Sequence, residues 1–210
     1  MVNTFDLIDI FGWQGALYGM RNPKNSWDRS DSKYIDRYGI YEIGPNDLKL
    51  ATTLCKAGNE HRKFLRMIHV QMNIYAPRYI WSEFDTYHFN VKNSCSTMHK
   101  LLDKKTPITL DMFEYNDLDK TLLEVIITNL EELRKLYNKE GVTGQEQQEL
   151  LTRAKQILPE GFIQMRTVDT TYEELRNIYR QRKNHRMKWW RDFCKALEAL
   201  PYAKEFIIGD

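Results

Sequence analysis

Residues 67–75, Met67-Ile68-His69-Val70-Gln71-Met72-Asn73-Ile74-Tyr75, alternate apolar and polar side chains, the period of a strand buried on one face. Ala76-Pro77 closes that strand, and Pro77 opens a predicted helix through Ile80, Trp81, Phe84 and His88. Over residues 118–137 the period changes. Leu122, Leu123, Ile126, Leu130, Leu133 and Tyr137 recur at helical spacing, with Glu131 and Lys135 as an outward i,i+4 pair. Thr143-Gly144-Gln145-Glu146 has the form of a capping box and predicts a helix that buries Leu150, Leu151, Ala154 and Ile157 before Leu158-Pro159 stops it. Alternation returns over residues 162–168 as a second strand.

Thr170-Thr171-Tyr172-Glu173 reads as a second capping box, heading a helix that carries Leu175, Ile178, Tyr179, Trp189, Phe193 and Leu197, with a break near Asn184. A shorter helix is expected from Asn46 as N-cap to Ala57, with Leu48, Leu50, Leu54 and Cys55 inward and Gly58 ending it. Residues 19–44 show no apolar period and read as a long polar loop. Its core, residues 19–28, mixes Arg21, amides and Trp27, which suits either a ligand loop or an Asx-turn loop pinned by Trp27. Strands alternating with longer helices give an α/β (α+β) fold, a sheet flanked by long helices, in one domain over residues 1–210.

Composition agrees with one core: 210 residues with 42% hydrophobic and 12% aromatic content. A net charge of +2 gives no global attraction to nucleic acid or to an anionic membrane, so an anion site must be local. No apolar run reaches the roughly 20 residues of a membrane helix, and Met1-Val2-Asn3-Thr4-Phe5-Asp6 lacks a signal-peptide pattern, so a cytoplasmic protein is expected. Cys55, Cys95 and Cys194 are widely spaced and read as buried free thiols. His61, His69, His88, His99 and His185 show no metal-ligand spacing, and neither a glycine-rich phosphate loop nor a Gly-x-Ser-x-Gly elbow is present.

Cations concentrate in Arg176, Arg180, Arg182, Lys183, His185, Arg186, Lys188 and Arg191, on or beside one predicted helix, where only a subset shares a face. Arg182 or Arg186 beside Trp189 suits stacking as well as anion binding. With Tyr179, Trp189 and Trp190 the stretch also suits a single-strand nucleic-acid module, a reading ranked below a phosphate pocket because Glu173, Glu174, Asp192, Glu198 and Glu205 accompany it.

Two stretches carry a family pattern. Ala154-Lys155-Gln156-Ile157-Leu158-Pro159 matches Ala-Arg-x-x-Leu-Pro, and the sequence after it lies, without a gap, on Asn-Phe-Leu-x-Leu-Arg at Asn177 and Arg182. Upstream, Ala76-Pro77 leads into residues 86–99, which lie on R-H-R-x-x-S-x-N-E-x-S-x-R-Y with Asn93 and Ser96 identical. In these stretches the chain resembles the flavin-dependent thymidylate synthases (thymidylate synthase complementing proteins). The resemblance covers roughly half the chain.

That resemblance implies a homo-oligomer, a tetramer in the family, that binds a pyrimidine deoxynucleotide. The family reaction methylates dUMP to dTMP with FAD, using reduced nicotinamide and methylenetetrahydrofolate. Carried over, it places Ser96, Lys155, Asn177 and Arg182 on the nucleotide, with Arg182 polarising the pyrimidine as the catalytic position. It places His61 (through Gly58-Asn59-Glu60-His61), His88, Asn93, Ser94 and Asn177 on the cofactor.

The departures fall on the cofactor side. The family's Arg-His-Arg triplet is Thr86-Tyr87-His88, which removes the cations that would hold FAD phosphates. Ser94 replaces a glutamate, Met98 a nucleotide-binding arginine, and Lys155 keeps a charge without the bidentate fork. Glu83 replaces a nucleotide-contacting glutamine and is read as a changed substrate contact. With Asp85 and Tyr87 it forms a new polar constellation, unless Glu83 and Asp85 pair with Arg78 or Lys92. The enzyme reading thus stands beside a flavin-free offshoot that binds a nucleotide without the parent reaction.

Overall fold

A computed structural model describes residues 4–35 and 41–209. Residues 36–40 of the expected polar loop, and Met1-Val2-Asn3 of the N-terminal pattern, lie outside the described residues. The fold is mixed helix and sheet, and four of its strands hydrogen-bond in the order β1-β4-β6-β5: β1 (Phe5–Phe11), β4 (His69–Pro77), β6 (Ile163–Thr171) and β5 (Asn90–Ser94). A two-stranded ribbon pairs β2 (Lys33–Tyr34) with β3 (Tyr41–Glu42). The chain divides into two compact units. Unit 1 holds Met1–Ile74, Tyr87–Lys92 and Thr167–Asp210, and unit 2 holds Tyr75–Thr86 and Asn93–Arg166.

In unit 1, β1 runs antiparallel to β4, from Phe5 opposite Ile74 to Phe11 opposite His69, with a register shift between Leu7 and Asp9. Sequence periodicity misses β1 because that irregularity breaks the alternation, leaving Leu7, Ile8 and Phe11 exposed. Gly12 follows at φ 92, where a Cβ would lie 2.0 Å from the Met67 carbonyl oxygen, so only glycine fits this turn. Helix α1 (Trp13–Arg21) buries Trp13, Ala16, Leu17 and Met20, an i, i+3, i+4, i+7 stripe. It absorbs Gly19, Met20 and Arg21, which sequence analysis gives to the loop.

Arg21 is buried and donates from Nε to Asp47 at 2.6 Å, while its terminal nitrogens donate to the carbonyls of Ser26 and Arg29. Asp47 also accepts from the Ser30 and Ser32 hydroxyls and from the Asp31 and Ser32 amides. Trp27 donates to Asn22 Oδ1 and stacks on Tyr18, so the pinned-loop alternative describes this stretch. Helix α2 (Pro45–Ala57) is capped two residues earlier than expected, with Gly44 as N-cap, Pro45 at N1, and the Asp31 carboxylate accepting from the amides of Asn46 and Asp47. It buries Asp47, Ala51 and Cys55, whereas Leu48, Leu50 and Leu54 are half-buried. Gly58 ends it at φ 118.

Helix α7 (Tyr172–Arg182) is capped by Thr171, whose hydroxyl accepts from the Glu174 amide, one residue beyond the expected cap at Thr170. The helical pattern breaks over residues 183–187, and α8 (Lys188–Leu197) buries Trp189, Trp190, Phe193, Cys194 and Leu197. The basic stretch is dispersed by these elements. Arg176 is buried and donates to the carbonyls of Phe206 and Gly209, Arg180 donates to Gly209, and Arg191 donates to the carbonyls of His185 and Arg186.

In unit 2, α3 (Arg78–Phe84) has Pro77 as its N-cap and stops before His88. Trp81 donates to the Gln164 carbonyl, and Arg166 lies over its ring while pairing with Asp85. Arg78 pairs with Glu160. Helix α5 (Lys120–Tyr137) packs on α6 (Gly144–Ile157) through Leu123, Leu130, Leu133, Leu151 and Ala154. Leu118 and Leu122 are exposed, and Ile157 is also outside the core. Glu131 pairs with Arg134 at 2.7 Å rather than with Lys135, and its carboxylate also accepts the Ile108 amide. The capping box at Thr143 and Glu146 forms as expected.

Cys55 and Cys194 are buried, but Cys95 is exposed, since it follows an edge strand. Among the described residues no helix is long and apolar enough to cross a membrane.

Candidate functional site

Unit 1 encloses a cavity of about 500 Å³. Its wall comes from Asn59 and Arg62 in the turn after α2, Arg66 in a 3-10 turn, His69 opening β4, and residues 88–91 entering β5. Asp169, Thr170 and Thr171 at the end of β6 and Glu173, Glu174 and Asn177 on α7 complete it. The β6 to α7 junction makes this possible. The Thr171 cap turns the chain sharply, so that Asp169 on the strand and Glu173, Glu174 and Asn177 on two helical turns face one space.

Most of its charge is internally paired. Arg62 Nε lies 3.0 and 3.1 Å from the two Glu173 oxygens, and its terminal nitrogen donates to Asn59. His69 Nδ1 is 2.8 Å from Asp169 Oδ1, and Gln71 donates to the other oxygen at 2.9 Å. Glu174 accepts from the Phe89 amide and from Asn177. Arg66 has no side-chain partner among the described residues. Asn90 Nδ2 donates to the Tyr87 carbonyl, and among the described residues no donor meets the buried Asn90 Oδ1. A buried acceptor is costly to leave unpaired.

A continuous hydrogen-bond chain leaves the wall at Asn177. Asn177 Nδ2 donates to Glu174, Gln181 Nε2 donates to Asn177 Oδ1 at 2.9 Å, and Tyr87 Oη donates to Gln181 at 2.9 Å. Arg182 Nε donates to Tyr87 Oη at 2.9 Å. The Arg182 guanidinium lies 4.8 Å from the Trp190 ring centroid and 3.0 Å from His185 Nε2. Burial raises the Tyr87 pKa, against the lowering contact with Arg182, so the phenol stays protonated and can donate to Gln181. The sequence resemblance lays Tyr87 on the middle residue of a cationic triplet. Here it serves Arg182.

The sequence-assigned residues separate into two groups. In unit 1, His88 and Asn177 line the cavity, Arg182 ends the chain leading from it, and His61 is exposed between two wall residues, Asn59 and Arg62. In unit 2, Ser96 caps the short helix α4 (Thr97–Lys100) by accepting from the Met98 amide, and Lys155 Nζ is 3.0 Å from Met98 Sδ, a weak acceptor. Ser96 also lines a separate, mainly apolar cavity of about 430 Å³ with Tyr75, Leu101, Ile108 and Met165. Asn93 and Ser94 lie exposed on β5, and Glu83 is half-buried on α3.

Sequence reasoning missed Arg66, His69, Asp169 and Gln181. The alternation of β4 makes His69 a polar-face strand residue, and only the pairing of strands far apart in sequence brings Asp169 to it.

No family model matches this chain, and no curated protein sequence does. Solved structures do. A crystal structure of thymidylate synthase X (ThyX) from Helicobacter pylori with FAD and dUMP is similar to it with a TM-score of 0.70 and 19% identity, covering 97% of this chain and 95% of that one. A second structure of flavin-dependent ThyX from Helicobacter pylori, complexed with FAD and dUMP, gives a TM-score of 0.68 and 18% identity, covering 97% and 96%. At these identities the likeness is one of fold.

Proposed function

We propose that this protein, built on the fold of thymidylate synthase X, binds a pyrimidine deoxynucleotide in the unit 1 cavity. The observation that carries the reading is the chain from Glu174 through Asn177, Gln181 and Tyr87 to Arg182. It joins the two α7 positions that the family resemblance assigns to the ligand, one of them in a cavity wall. The solved neighbours hold dUMP.

The wall has the groups a mononucleotide needs. Glu174 and Asn177 present carboxylate and amide to the edge of a base, and the unmet Asn90 carbonyl adds an acceptor for an N–H or O–H. Arg66 is a single cation suited to a single phosphate.

The same wall does not fit FAD. It holds two arginines against three carboxylates, Asp169, Glu173 and Glu174, and Arg62 is already held by Glu173, so one arginine remains for a pyrophosphate. No chemical step is therefore routed through flavin, and the reading is a nucleotide-binding offshoot of the fold. The nucleic-acid alternative gains no support, because Arg176, Arg180 and Arg191 are spent on backbone carbonyls.

Calorimetric titration with dUMP tests the proposal, alongside the visible spectrum of the purified protein with and without added FAD. We expect saturable one-site binding of dUMP and no flavin absorbance. Stoichiometric flavin would return the family reaction, and absence of dUMP binding would remove the nucleotide reading.

A further inference from the structure

The cavity holds an acid–base arrangement that neither the resemblance nor the proposed ligand calls for. A carboxylate only accepts hydrogen bonds, so the 2.8 Å contact between Asp169 Oδ1 and His69 Nδ1 places the ring proton on Nδ1. In the neutral ring the lone pair is then on Nε2. Among the described residues nothing meets Nε2. The ring plane is fixed twice: by Asp169, itself held by Gln71 at 2.9 Å, and by Phe11, its register partner on β1, which stacks on it at 5.2 Å and 10°.

We propose that His69 is a proton-accepting group of this cavity and that Asp169 is its positioning residue. The matching ligand is a nucleoside-sized molecule with an O–H or imide N–H. In the transfer that X–H bond breaks, its electron pair stays on the oxygen or nitrogen, and a bond forms between the proton and Nε2. The imidazolium charge is offset by Asp169. The other charged groups lining the same space are Arg62 and Arg66 from the turns before β4, His88 ahead of β5, and Glu173 and Glu174 from α7. A purely structural pair at this half-exposed site contributes little to stability, so its removal leaves the fold in place and the chemistry readable.

Diethyl pyrocarbonate, which acylates an unprotonated imidazole nitrogen, provides the test in the full chain at neutral pH. Rates at each histidine are followed by peptide mass spectrometry, with exposed His61 and His99 as internal standards. Asp169→Asn places an amide donor against the ring and moves the proton to Nε2; we expect acylation of His69 to slow at least tenfold while His61 and His99 keep their rates. An unchanged His69 rate in Asp169→Asn, or nitrogen NMR showing the proton on Nε2 in the parent protein, would overturn the proposal. Saturating dUMP added to the parent protein separates this inference from the nucleotide reading. Slowed acylation supports both, whereas fast, Asp169-dependent acylation that ignores dUMP supports the proton site and removes dUMP from the cavity.

Discussion

Asp47 is buried and accepts from Arg21, from the Ser30 and Ser32 hydroxyls and from the Asp31 and Ser32 amides. Burial raises its pKa, but hydrogen bonds from Ser32, Ser30 and Arg21, and the Arg21 charge, outweigh it and hold the carboxyl below its usual range. Because the folded value is depressed, the stabilisation is fully present above the unfolded value of about 3.9 and is lost as pH falls through the folded value. Asp47→Asn leaves Arg21 buried without its counter-charge, and we expect a loss of about 3–5 kcal/mol by urea denaturation at pH 7. The thiols give a second residue-scale expectation. Burial pushes Cys55 up to about 11 and Cys194 up to about 12, whereas Cys95 is exposed. Thiol titration of the native protein at pH 8 should therefore find one fast cysteine, with the other two reacting only on unfolding. At this scale the sequence marks Asn177, Arg182 and Tyr87 as candidates but hides the Tyr87–Gln181 contact, since it joins positions 94 residues apart.

Elements were legible where one local rule dominates. The Thr143 to Glu146 box depends on four neighbouring residues, so its residues alone predict α6, and Thr143→Ala should cost about 1 kcal/mol in a denaturation midpoint through loss of the cap. Strand β4 alternates because one face is buried, as the sequence implies. By contrast, β1 is an edge strand with a register irregularity, and its exposed Leu7, Ile8 and Phe11 erase the period that would have revealed it. The end of α1 inside an apparent polar run was hidden for a related reason. Arg21 looks like a loop cation in sequence, and only Asp47, 26 positions later, makes its burial tolerable.

For the whole molecule, the α/β fold and its likeness to thymidylate synthase X were readable from two short motif stretches and the order of helices and strands. Solved structures covering 97% of the chain agree with that fold. The proposed ligand site was less legible, because Tyr87 and Gln181 have partners that no motif records. The central claim is nucleotide binding in the unit 1 cavity, and hydrogen exchange measured with and without dUMP tests it most directly. The account predicts slowed exchange confined to residues 59–69, 88–91 and 169–177; slowing elsewhere with these segments unchanged, or no change anywhere, would contradict it.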